Sequence, residues 1–213
     1  MKSLKVPYVP TLDMLDLSSA GLLMETKAQR SYIDTINWES YPYKPIVAFD
    51  IARSDSRLYI RYFVKGNSLK ASYLYDNSPV HRDSCVEFFM QKPGDKKYMN
   101  FEFNCIGTCD AARRESRDLK VSLTSDEYVQ IQRYASIEQK SFEEKLGNHT
   151  WELTVSIPFT LMGLDPEHLP EMIRGNFYKC ADDTANPHFV SWSPIDLPNP
   201  DFHCPAFFGE IHF

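Results

Sequence analysis

Apolar and polar residues alternate with a period of two in three stretches of the chain, and these stretches predict its central strands. In Asp83–Met90, Val86, Phe88 and Met90 fall on one face and Cys85, Glu87 and Phe89 on the other. A turn marked by Pro93, Gly94 and Asp95 follows. Tyr98–Cys105 then alternates again, with Met99, Phe101, Phe103 and Cys105 inward and Tyr98, Asn100, Glu102 and Asn104 outward. This hairpin has one oily side and one side of carboxylates and amides. In the third stretch Trp151, Leu153, Val155 and Ile157 oppose Glu152, Thr154 and Ser156, and Pro158 with a helical turn over Phe159–Gly163 ends the run.

Weaker patterns fill the rest. Ile46–Ile51 is a short apolar run, and Leu58, Ile60, Tyr62 and Val64 alternate with Arg57, Tyr59, Arg61 and Phe63. Lys65-Gly66-Asn67 predicts a turn, with Ser68–Tyr75 pairing back as a hairpin partner. Ile106–Cys109 and the cluster Arg113-Arg114-Glu115-Ser116-Arg117 read as turn and solvated loop, Tyr128–Tyr134 as strand, and Glu138–Asn148 as an exposed charged stretch. Residues 1–45 form an extended or partly helical lead, with a short helix within Thr11–Thr26 and a loop in which Trp38 offers a spare aromatic platform. Prolines 187, 194, 198, 200 and 205 break the last third into short extended pieces before a terminal strand over Gly209–Phe213. Many short strands and little helix predict an all-β antiparallel β-sandwich, one domain over 1–213, with a core of Val86, Phe88, Phe101, Phe103, Trp151, Leu153 and Val155.

Bulk properties narrow the classes. The 43% hydrophobic content, with 14 Phe, 12 Tyr and 3 Trp, indicates a folded globular chain, and no run of about 18 apolar residues predicts a spanning helix. A net charge of −6 argues against nucleic acid or an anionic membrane as partner. The N-terminus lacks the apolar segment and cleavage site of a secretory signal, so the chain as written is expected in the cytoplasm; preceded by a signal, it would be periplasmic or secreted. Five cysteines, an odd number, read as reduced core thiols.

Four short motifs carry a resemblance. Asp83-Ser84-Cys85-Val86-Glu87-Phe88-Phe89 resembles the D-S-V-E-I-F strand of family 9 carbohydrate-binding modules, a standalone bacterial type within the DOMON-like β-sandwiches. Trp151–Pro158 resembles that family's W/Y-x-x-E-x-x-I-P strand, and Gly175-Asn176-Phe177 its G-x-N strand. Ser191-Trp192-Ser193 with Pro205–Ile211 resembles its S-W-S and P-x-x-F-G-x-I close. The resemblance implies non-catalytic binding of a mono- or oligosaccharide, tied to polysaccharide catabolism and to a partner glycoside hydrolase. Its implied site is an aromatic clamp around a sugar ring, with side chains that bond the hydroxyls. Carried over one by one, the strand glutamate falls on Glu87 and the R-x-N on Glu102 and Asn104. The strand glutamine falls near Tyr178, and the clamp aromatics on His81 and on Phe202 with His203 beside it. His81 and Phe202 stand for tryptophans and Glu102 for an arginine, which implies a smaller, more polar clamp of weak affinity. All these residues are expected in one concavity.

Other chemistries compete less well. Glu87 and Glu102 on neighbouring strands would suit a retaining glycoside hydrolase, and a protein-interaction module that has lost the sugar site is a third alternative. The sequence predicts no metal site: His188, His203, Cys204 and Cys180 lack ligand spacing. No cofactor is expected, although the resemblance allows structural calcium, with Asp182, Asp183 and Asp201 as loop oxygen donors.

Overall fold

The computed structural model describes residues 2–213; Met1 lies outside the described residues. Among the described residues, fourteen strands run in chain order as β1 (Ser3–Lys5), β2 (Gln29–Tyr32), β3 (Thr35–Ile36), β4 (Ile46–Arg53), β5 (Arg57–Ala71), β6 (Cys85–Gln91) and β7 (Tyr98–Asn104). They continue as β8 (Cys109–Arg114), β9 (Lys120–Ser122), β10 (Gln132–Ala135), β11 (Phe142–Pro158), β12 (Met172–Cys180), β13 (Phe189–Ser191) and β14 (Gly209–His212). Two short helices, α1 (Leu17–Lys27) and α2 (Ser125–Gln130), interrupt them.

The strands form two sheets, and the fold is the antiparallel β-sandwich that the alternation predicts. One sheet has the order β1-β14-β12-β6-β7-β8-β9, with β13 on the far half of β12 and β3 beyond it; the other is β10-β11-β5-β4-β2. Their facing sides share a continuous core that includes all seven expected residues. Phe49 stacks on Phe177 across the gap, with ring centroids 4.0 Å apart.

The hairpin pattern is right, but its polar side is not solvated. Glu87, Asn100, Glu102 and Asn104 are all less than 5% exposed. The reason is a second apolar layer on the outer face of this sheet. Cys85, Phe89, Tyr98, Tyr178 and Cys180 project outward and are covered by Trp38, Val80, Ile195, Phe202 and Phe208 from the connecting segments. Trp38 is therefore no free platform; it is 6% exposed. Its indole N–H donates to the Leu197 carbonyl at 2.8 Å.

Three local expectations fail for identifiable reasons. No turn forms at Lys65-Gly66-Asn67: β5 continues through it, because β11 is long enough to pair with both of its halves, with register shifts between. Tyr128–Tyr134 splits into the end of α2 and β10, since Thr124 and Glu127 make a reciprocal capping box that starts a helix. Arg113 and Arg114 lie in β8 rather than in a loop, and Arg114 is 5% exposed.

The family-like motifs build the scaffold that the outer layer rests on. The Asp83 carboxylate accepts from the backbone N–H groups of Ser72 and Tyr73 and from Asn104 Nδ2. Asn176 accepts from the Ser193 N–H and donates to the Ser193 carbonyl, which pins the Ser-Trp-Ser segment against β12. Gly209 is required by close approach: a Cβ there would lie 2.4 Å from the Trp192 ring and 2.6 Å from the Lys2 carbonyl oxygen.

Candidate functional site

The covering layer stops short over β6, β7 and β8, and the gap is a cavity of about 360 Å³. Its floor is a row of acids fixed by register: Glu87 on β6 pairs with Glu102 on β7, and Glu102 with Asp110 on β8. Period-2 alternation puts all three on the outer face. One wall is apolar, from Pro79, Phe189, Pro200 and Phe202. The rim is charged, with Arg114, Arg117, Asp118, Lys120, Asp182 and Asp201.

Of the seven residues singled out from the sequence, His81, Glu87, Glu102, Phe202 and His203 line this cavity. Asn104 and Tyr178 do not. Asn104 is fully buried and committed to backbone: its amide donates to the Tyr73 carbonyl at 2.9 Å and its oxygen accepts from the Thr108 N–H at 2.9 Å. Tyr178 sits behind the wall, stacked on Phe202 with centroids 4.1 Å apart, and its hydroxyl donates to the Phe202 carbonyl at 3.1 Å. It sets the position of Phe202 rather than facing the space.

The acids share few donors. Glu87 Oε1 accepts from the Cys180 thiol at 3.0 Å, with the Cys85 thiol at 3.9 Å. Burial and the neighbouring Glu102 push the Glu87 carboxyl well above the usual range. Glu102 accepts from Asn100 Nδ2 at 3.1 Å and faces His81 Nδ1 at 3.7 Å. That carboxylate raises the His81 imidazole, against its partial burial. Asp110 is raised by burial and then by Glu102, its nearest cation being Lys120 at 3.5 Å, and its Oδ1 has no hydrogen-bond partner. Asp182 is also raised by burial, and its Oδ1 is likewise unpartnered. His203 goes the other way, pushed down to about 3 by burial and by Arg114, so it is neutral where it meets the Tyr98 hydroxyl at 3.1 Å.

Asp110 and Arg114 were missed because Ile106–Cys109 and Arg113–Arg117 read as turn and loop. The signal was there: Cys109 and Ala111 face the core, which puts Asp110, Ala112 and Arg114 on the other side, in period with Glu102.

The loop acids named for calcium do not gather. Asp183 is exposed and pairs with Arg82 at 3.8 Å, while Asp201 accepts from the His203 N–H. Nor do His188, His203, Cys204 and Cys180 meet: His188 bonds Lys179 and His203 bonds Tyr98. Among the described residues, one group of potential ligand atoms lies within 4.8 Å, those of Cys85, Glu87 and Cys180. Its soft, buried thiols do not fit an ion that takes six to eight oxygens. All five cysteines are free thiols. No helix among the described residues is long and apolar enough to cross a membrane.

Comparison with known proteins agrees with this architecture. A candidate carbohydrate-binding protein of Bacteroides uniformis superimposes with a TM-score of 0.92 at 37% identity, over 100% of this chain and 99% of that one. A family 9 carbohydrate-binding module of Caldicellulosiruptor kristjanssonii in complex with glucose superimposes with a TM-score of 0.62 at 13% identity, over 99% and 95% of the two chains. The complex of such a module with cellotriose gives 0.60 at 13%, over 99% and 93%. No curated protein matched. The sequence pattern of carbohydrate-binding family 9 matches residues 18–213, nearly the whole chain. The chain belongs to carbohydrate-binding family 9.

Proposed function

We propose that the cavity over β6, β7 and β8 binds a carbohydrate without transforming it. The observation that carries this reading is the pairing of an apolar wall, headed by Phe202, with a facing floor of acids whose acceptor oxygens exceed their donors. A sugar ring has the complementary surfaces: C–H faces that pack on an aromatic ring, and a fringe of hydroxyls that donate to carboxylates. The volume of about 360 Å³ suits one or two rings. Support also comes from the family itself and from the related modules seen with glucose and cellotriose.

The same reading assigns the protein a place beside polysaccharide breakdown, presenting sugar to a partner glycoside hydrolase. Hydrolysis by the chain itself is the weaker alternative. Glu87 and Glu102 pair across adjacent strands, where opposed Cβ atoms lie about 4.5 to 5.5 Å apart, near the spacing of a retaining pair, but Glu87 is 2% exposed and has its Oε1 engaged by a thiol. A glycan array followed by titration calorimetry tests the proposal. Saccharide binding is expected, and Ser78→Trp, which places an indole at the cavity lining, is expected to abolish it while the fold melts as before. A blank array, or binding untouched by Ser78→Trp, would refute the assignment, and turnover of aryl glycosides lost in Glu87→Gln would favour the hydrolase.

A further inference from the structure

The floor of the cavity repeats one charge three times. Glu87, Glu102 and Asp110 stand directly opposite one another on adjacent strands, at 2%, 4% and 6% exposure. Directly opposed side chains have Cβ atoms about 4.5 to 5.5 Å apart, and like charges at that spacing destabilise a sheet. Carboxylates taken out of water normally have a guanidinium or ammonium at hydrogen-bonding distance. Here the cations stand back. His81 is 3.7 Å from Glu102, and Lys120 is 3.5 Å from Asp110 Oδ2. Arg114 is turned aside, its Nε donating to Asn100 Oδ1 and its Nη1 to the Arg117 carbonyl. Glu87 has only thiols, and the buried Asp110 Oδ1, on a side chain lining the cavity, has nothing.

We infer that the ligand supplies the missing positive charge: the site takes an amino sugar with a free ammonium group, its ring against the Phe202 wall and its nitrogen over the Glu87–Glu102–Asp110 row. This rests on the carbohydrate-binding reading and narrows it. A neutral sugar can hydrogen-bond the acids through its hydroxyls, but it offers no charge to hold them as carboxylates. An ammonium brings N–H donors and a unit charge, and hydrogen bonds assisted by charge are roughly twice as strong as neutral ones. Burial and the neighbouring Glu102 push Glu87 and Asp110 toward the protonated form, and a cation draws them back to carboxylates.

Three β-1,4-linked disaccharides that differ only at C2 isolate the charge: cellobiose with hydroxyls, the chitosan dimer with free amines, and di-N-acetylchitobiose with neutral amides. Calorimetry on the unmodified protein at about pH 6, where the amines are protonated, is expected to rank the chitosan dimer roughly tenfold or more above the other two. Cellobiose or the acetylated dimer binding as tightly as the amine would overturn this inference and leave the carbohydrate reading intact. Failure of all three to bind overturns the inference, and together with a blank glycan array it overturns the carbohydrate reading as well. Removing one acid by Asp110→Asn is expected to shrink the preference for the amine, with a melting curve recording that the variant is folded; a preference of undiminished size in the folded variant counts against the row.

Discussion

Substituting Glu87→Gln should make the protein more stable at neutral and alkaline pH, and the effect should grow with pH. The carboxyl is buried at the cavity floor, and the groups that act on it are Glu102 on β7, Cys85 on its own strand, Cys180, Tyr178 and Lys179 on β12, and Asp182 beyond. Desolvation and the Glu102 charge hold its folded pKa above the value of about 4.3 it has when unfolded. The sign follows from proton counting. Between the unfolded and folded pKa values the native state binds more protons than the unfolded chain, so stability falls as pH rises across that window. The slope approaches about 1.4 kcal/mol per pH unit for one group. Glutamine has nearly the same shape and no proton to lose, so the variant lacks that slope. For a chain of this size about 1 kcal/mol corresponds to roughly 2 to 4 °C in Tm, so within that window the variant should gain on the native protein by about 3 to 5 °C per pH unit, and the gain should level off once the folded carboxyl ionises. Asp110 and Asp182 leave a residual slope in both proteins, and the difference between the two melting profiles isolates Glu87. Scanning calorimetry from about pH 5 to 8 is the assay. A Tm difference independent of pH, or a variant that becomes relatively less stable as pH rises, would refute the reasoning.

Three further outcomes follow from the scaffold. Asp83→Ala strips the acceptor from the part-buried Ser72 and Tyr73 N–H bonds and from the buried Asn104 amide, and should lower stability by about 2 kcal/mol or more in urea melts. Gly209→Ala forces a methyl against the Trp192 ring and the Lys2 carbonyl and should cost about 1 to 3 kcal/mol, read as a drop in Tm together with altered Trp fluorescence. Native protein should present one thiol, Cys204, to a chromogenic disulfide reagent and five after denaturation, because the other four are buried and Cys204 is partly exposed. More than one fast thiol would show that the outer layer opens.

The inward half of this fold was legible because alternation reports which side chains share a face. Val86, Phe88, Phe101 and Phe103 needed nothing else to be placed. Alternation says nothing about what covers the other face, so it gave no sign of the second apolar layer built by Trp38, Phe202 and Phe208, nor of the gap that this layer leaves over Glu87 and Glu102. The roof comes from segments far apart in the chain, and only the folded topology brings them over one hairpin. For the same reason the family-like motifs marked two kinds of residue that the sequence could not separate. Glu87 and Glu102 face the cavity, whereas Asp83, Asn104 and Asn176 spend their polar atoms on backbone groups beneath it. Asp110 escaped notice because Gly107, with φ at 87°, turns the chain directly into β8, so this six-residue strand begins in a segment that reads as turn and ends in one that reads as loop.

The central claim, that the gap in the roof over β6, β7 and β8 is where sugar binds, is tested most directly by a crystal of the protein soaked in a mixture of cellobiose and chitosan dimer. The account predicts a ring packed on Phe202 with polar atoms within hydrogen-bonding reach of Glu102 and Asp110; sugar density elsewhere on the surface, with this cavity holding only solvent, would contradict it.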